Sequence, residues 1–121
     1  CLLDLVTDEA RLKATFINPG EVGRHILQRL RLESQYFGGD ELLDRAAQKL
    51  AGMTVVRDFQ TVLPLPAVVP AKYRMGDEVF SLFSTLAQFG TAEDVMLADI
   101  QMEFLFPADA ATRQRFEAGL A

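Results

Sequence analysis

The chain holds one cysteine and one histidine in 121 residues. One cysteine excludes an internal disulfide and suits a reducing, cytoplasmic setting. The single histidine, His25, leaves no second imidazole to share a metal, so no zinc site is expected. No apolar run reaches the roughly 18 residues of a membrane span, and the N-terminus lacks a signal-peptide pattern, so no membrane association is expected. Clustered basic residues are scarce too. The densest stretch is Arg24, Arg29 and Arg31, interrupted by Glu21 and Glu33, in a chain of net charge -5. A nucleic-acid surface needs grouped Lys and Arg to displace counterions from phosphates. These arginines read instead as a solvated helix face, and the chain is not expected to bind DNA by itself.

Reactive groups fail to converge. Ser81, Ser84 and Thr85 lie on a strand pattern with no G-x-S-x-G elbow around them. Gly20-x-x-Gly23 and Gly38-Gly39 lack the strand-to-helix setting of a phosphate loop. Asp99 and Glu103 share a strand face too far apart to share a proton, and read as a wet sheet surface. Cys1 has no basic partner in the pattern to activate it. No catalytic residue and no cofactor is expected, and the chain does not read as an enzyme.

What is present is an ordinary globular composition, 50% hydrophobic and 24% charged, enough for one domain with one core. The amphipathic pattern is already under way at Leu2, Leu3, Leu5 and Val6. The chain therefore reads as a piece of a longer protein. Residues 2 to 16 suggest two short helices broken near Thr7-Asp8. Asn18, Pro19 and Glu21 have the cap, first-turn and capping-box positions of a helix start. Val22, Ile26, Leu30 and Phe37 then mark one face, with Leu27 beside it. Gly38-Gly39 ends this helix. Asp40 opens another, with Leu42, Leu43, Ala46, Ala47 and Leu50 inward and Gly52 as its stop. Residues 53 to 61 fit a short helix or a strand. Pro64, Pro66 and Pro70 make an extended connector or an edge strand.

The period then changes from 3.6 to 2. Ala71 to Met75 turns at Gly76-Asp77 into Val79 to Phe89. This second strand is apolar on both faces, with Phe80, Leu82 and Leu86 on one and Val79, Phe83, Ala87 and Phe89 on the other. It should be central and covered on both sides. Gly90 to Asp94 breaks it. A third strand is expected from about Leu97 to Phe106. Ile100, Met102, Phe104 and Phe106 face one way, and Asp99, Gln101 and Glu103 face water or a polar partner. Pro107 ends it, and Asp109 caps a last helix with Arg113, Phe116 and Leu120 as a short stripe. Helices first and antiparallel strands later give an α+β fold, its oily sheet face roofed by the N-terminal helices.

Phe80, Phe83, Phe89, Phe104 and Phe106, with Met96 and Met102, crowd one part of the chain. Two readings fit: a filled core between sheet and helices, or an apolar cavity there able to hold an acyl chain. Flexible methionines and large rings lean toward an adaptable pocket. Phe80, Phe83, Met102 and Phe104 are the candidate lining residues.

The same region carries specific motifs: Phe83-Ser84-Thr85, Phe89-Gly90-Thr91, Asp94-Val95-Met96-Leu97 and Phe104-Leu105-Phe106-Pro107-Ala108-Asp109. With the helix from Asn18 to Leu30 and the opening L-L-D-L-V, this resembles the C-terminal domain of MmyB-like, Xre-type helix-turn-helix transcription regulators, over nearly the whole chain. The chain departs from that pattern at Pro19-Gly20, where relatives often carry Trp, and over residues 53 to 66. The resemblance implies a PAS-like sensor domain of a cytoplasmic regulator. It also implies a small, fatty-acid-like effector, a homodimer, and DNA contact through an N-terminal helix-turn-helix domain absent from this sequence. The alternative is a dimerisation or partner-binding module with no small-molecule ligand.

Overall fold

A computed structural model describes residues 2–61, 63, 64, 68–88 and 101–119. Within them lie five helices, then a three-stranded antiparallel sheet, then a sixth helix, an α+β arrangement. The helices are α1 (Leu2–Val6), α2 (Glu9–Thr15), α3 (Pro19–Tyr36), α4 (Glu41–Gly52), α5 (Thr54–Arg57) and α6 (Ala110–Glu117). The strands are β1 (Ala71–Met75), β2 (Glu78–Gln88) and β3 (Gln101–Pro107), with β2 in the centre.

Local chemistry explains most boundaries. The break near Thr7-Asp8 is real: the Asp8 carboxylate accepts from the Arg11 amide and starts α2. Asp40 caps α4 by accepting from the amides of Leu42 and Leu43. Between α3 and α4, Gly38 and Gly39 take φ of 77° and 107°, and the Gly39 amide donates to the Ser34 carbonyl at 2.7 Å. Buried Ser34 locks that corner. Its hydroxyl donates to Asp44 at 2.6 Å and accepts from the Asp40 amide at 2.9 Å.

Asn18 does not cap α3. Its amide nitrogen donates to Glu21 and to the Pro70 carbonyl, both at 2.8 Å, and its oxygen accepts from the Lys72 amide at 3.0 Å. Glu21 therefore meets the Asn18 side chain rather than closing a capping box. The residue ties the start of α3 to the start of β1.

The core sits among the helices. Val6, Leu12, Phe16, Leu27, Leu30, Leu50 and Val56 are all buried in one cluster. Residues 53 to 61 resolve as helix over α5, and this short helix packs on α3 through two glycines. A Cβ on Gly20 would meet the Val55 carbonyl at 2.7 Å, and one on Gly23 would meet Val56 Cγ2 at 2.5 Å. Gly20 and Gly23 are packing residues, buried at a close helix contact. Arg24 is not on a solvated face either. It is half-buried, and its guanidinium donates to the carbonyls of Val56, in the last turn of α5, and of Phe59, just beyond it, at 3.2 and 3.4 Å. Two apolar expectations also shift. Leu42 is 63% exposed, because α4 turns Leu43, Ala46, Ala47 and Leu50 inward instead, and Phe37 lies at the exposed end of α3.

The sheet joins this core through β1. The Ile17 amide donates to the Lys72 carbonyl at 2.8 Å, and the Phe16 and Tyr73 rings meet at 4.8 Å between centroids. The β1–β2 hairpin turns at Gly76-Asp77. Gly76 has φ of 61° and Asp77 keeps a negative φ, the pattern of a type II′ turn. Beyond the reach of β3, α6 covers the free edge of β2: the Ser81 amide donates to the buried Thr112 hydroxyl at 2.9 Å, and the Ala108 amide donates to the Ser81 carbonyl at 2.8 Å. Asp109 caps α6 as expected, accepting from the Thr112 amide at 2.8 Å.

Candidate ligand-binding site

Register decides which side chains face the helices. Leu82, Ser84 and Leu86 of β2 lie opposite Pro107, Leu105 and Glu103 of β3, and directly paired residues share a face. Arg29 of α3 forms an ion pair with Glu103 at 3.5 Å. The helix side of the sheet is therefore the Leu82–Ser84–Leu86 side. The polar partner expected for Glu103 is Arg29.

Between this face and the helices lies a cavity of about 280 Å³. Its apolar walls come from Val6 of α1, Phe16, Ile26 of α3, Val68 and Val69, and Ala71, Tyr73, Leu82 and Leu105 of the sheet. His25, Arg29, Ser84 and Glu103 supply the polar side chains, and the Thr85 residue borders the cavity from a strand position whose side chain faces the other way. An apolar space with a few converging polar side chains is the usual build of a small-molecule site. Partial burial, and next the charge of Arg29, hold the His25 imidazole below its usual range; Glu21 acts in the opposite sense. Burial, then Glu103, pushes the Tyr73 phenol up. The wall thus carries a cation at Arg29 and an imidazole biased toward its neutral form.

The four residues expected from the sequence do not come together there. Phe83 borders the cavity, but its register places the ring on the opposite face, against Phe106. Phe80 is buried against α6, its ring stacked on Phe116 at 6.0 Å. Met102 and Phe104 pair with Ala87 and Thr85, on the face turned away from Arg29, and are 43% and 44% exposed. Phe106 joins them at 42% exposed, stacked on Phe83 at 5.3 Å. The oily stripe of β3 is thus not roofed by the N-terminal helices, and β2 is central without being covered on both sides by the described residues. The face of β3 that meets α3 is instead the one carrying Glu103 and Leu105.

Sequence reasoning missed His25, Ile26 and Arg29 as wall residues. Their spacing on α3 was a usable signal, since positions 25, 26 and 29 project from one side of a helix. Phe89, Met96, Asp99, Ile100, Cys1, Pro66 and Leu120, and the strand start near Leu97, lie outside the described residues. Among the described residues, no three His, Cys, Asp or Glu side chains group to hold a metal, and no helix is long and apolar enough to cross a membrane. Comparison with family models, curated proteins and solved structures returns no match to this chain.

Proposed function

We propose that this chain is the ligand-sensing regulatory domain of a cytoplasmic, DNA-binding transcription regulator, PAS-like in its packing of helices on a sheet. Its effector is a small, fatty-acid-like molecule. The observation that carries the reading is the apolar space between α3 and the sheet, closed on its polar side by His25, Arg29 and Glu103. Its volume is close to the lower end of small-molecule sites, about 300 Å³, which favours a compact or short-chain effector. The motifs from Phe83 to Asp109 support the regulator assignment. The net charge of -5 leaves DNA contact to a helix-turn-helix domain outside this sequence.

Effector in this cavity would touch α1, α3 and the sheet together, and so favour one setting of the helices against the strands. The change in operator affinity equals the effector's preference for one setting over the other. The test is native mass spectrometry of the protein purified from cells, followed by identification of any released small molecule. An apolar carboxylate or similar amphiphile supports the reading. A ligand-free protein that also fails to bind added fatty acids of short and medium chain overturns it.

A second reading, a homodimerisation or partner-binding module with no ligand, is favoured by exposed apolar side chains. Leu32 and Tyr36 on α3 are 67% and 76% exposed, and Met102, Phe104 and Phe106 stand open on the outer sheet face.

A further inference from the structure

Arg29 of α3 stands where two spaces adjoin. With His25 it lines both the cavity of about 280 Å³ between α3 and the sheet and a groove of about 440 Å³ along the outside of α3, where Leu32, Tyr36 and Leu86 are apolar walls. Among the described residues it is the one Lys or Arg that lines the cavity. Across from it on β3 lies Glu103, whose Oε1 is 3.5 Å from Arg29 Nη1. The two side chains are 35% and 40% exposed, so the pair marks the rim of the cavity. Its separation exceeds the roughly 2.7–2.9 Å of a charge-assisted hydrogen bond. A loose, partly solvated pair contributes little to stability and gives way readily to a better partner. A guanidinium carries several N–H donors in a planar fork, so this contact leaves Arg29 with donors to give.

We propose that Arg29 is the head-group anchor for a carboxylate effector, and that the effector displaces Glu103 from it. This rests on the reading of the cavity as an effector site, and it names the residue that recognises the acid and the residue that opposes it. The apolar walls, Val6, Ile26, Leu82 and Leu105 among them, take a hydrocarbon chain. A chain lying there brings its terminal carboxylate to the rim, where the Arg29 fork meets both oxygens at once. The charge is not buried without a partner, because Arg29 answers it and water still reaches the pair. Two carboxylates on one guanidinium repel each other, so Glu103 turns to the solvent to which it is already partly open.

The exchange has a consequence for the fold. Arg29 lies on α3 and Glu103 on β3, so their pair ties the helix layer to the sheet. A carboxylate at Arg29 replaces that tie with one between helix and effector. Effector and Glu103 thus compete for one guanidinium, and the setting of α3 against β3 differs according to which of them holds it. A neutral molecule with the same chain fills the same walls and leaves the tie in place.

The experiment is isothermal titration calorimetry of the whole 121-residue chain with octanoate and with octanol, which share a chain and differ in charge. The native sequence is compared with Arg29→Gln and Glu103→Gln, and circular dichroism with a thermal melt checks that each variant folds. The expected result is that octanoate binds the native chain more tightly than octanol does. Its dissociation constant rises about tenfold in Arg29→Gln, which removes the charged partner. In Glu103→Gln it falls roughly threefold, because the competitor is gone. Octanol affinity is the same in all three proteins. The Glu103→Gln arm reads a gain of binding, which loss of structure does not produce, so the test stands even where Arg29→Gln fails to fold. Equal effects on octanoate and octanol, or an octanoate affinity that Glu103→Gln leaves unchanged or weakens, overturn the exchange while the effector reading stands. Binding of neither probe to any of the three proteins overturns the effector reading and the exchange with it.

Discussion

Gly23 of α3 leaves no room for a side chain against Val56 of α5: a Cβ there would lie 2.5 Å from Val56 Cγ2, with Leu12 Cδ2 at 3.3 Å. Alanine ordinarily strengthens a helix by up to about 1 kcal/mol over glycine. Here overpacking of a buried contact, typically costing about 1–3 kcal/mol, opposes that gain. Gly23→Ala is expected to lower the stability of the chain, read as a fall in the urea midpoint with an unchanged slope. The double variant Gly23→Ala with Val56→Ala is expected to recover part of the steric loss.

Asn18 bonds to Glu21, to the Pro70 carbonyl and to the Lys72 amide at once. Its side chain is one of the few polar ties between the helices and β1. Asn18→Ala leaves partly buried backbone groups without that partner, at a cost of roughly 1–3 kcal/mol. Amide hydrogen exchange should accelerate at Lys72 and along β1 before it accelerates in the core of α3 and α4. Acceleration confined to α3, with Lys72 and β1 unchanged, would mean that Asn18 acts only within α3.

His25 makes stability depend on pH. Its folded-state value lies below the ordinary 6.5 because burial, and then Arg29, disfavour the charged ring. The unfolded chain therefore binds the proton more readily between the lowered value and 6.5. Stability contributed this way is present above pH 6.5 and is lost as the pH falls toward the lowered value. His25→Gln should flatten the dependence of the urea midpoint between pH 7 and pH 5. An unchanged slope would assign that dependence to the carboxylates.

The helices other than α5, the break at Thr7-Asp8, the caps at Asp40 and Asp109 and the hairpin turn at Gly76-Asp77 were all readable from residue type and period. Each depends on contacts within a few residues, where sequence patterns are strongest. What stayed hidden depends on partners distant along the chain. Arg24 looked like a surface residue until α5 brought the carbonyls of Val56 and Phe59 to it. Asn18 looked like a cap until β1 arrived. Alternation separated Met102, Phe104 and Phe106 from Glu103 correctly, yet could not say which set would meet α3. Hydrophobicity favoured the aromatic side, and the ion pair of Arg29 with Glu103 lies on the other. Phe83 was the one expected wall residue that borders the cavity, with its ring on the opposite face.

The central claim is that the space between α3 and the sheet takes a small apolar effector. Its most direct test is a thermal melt of the chain with decanoate as probe, compared with Ala71→Phe, which places a large ring in the cavity wall. Probe at 100 times its dissociation constant should stabilise the native chain by about 2.7 kcal/mol. The account predicts a saturable rise in melting temperature for the native sequence and none for folded Ala71→Phe. Equal shifts in both proteins, or no shift in either across decanoate and shorter and longer homologues, would contradict it.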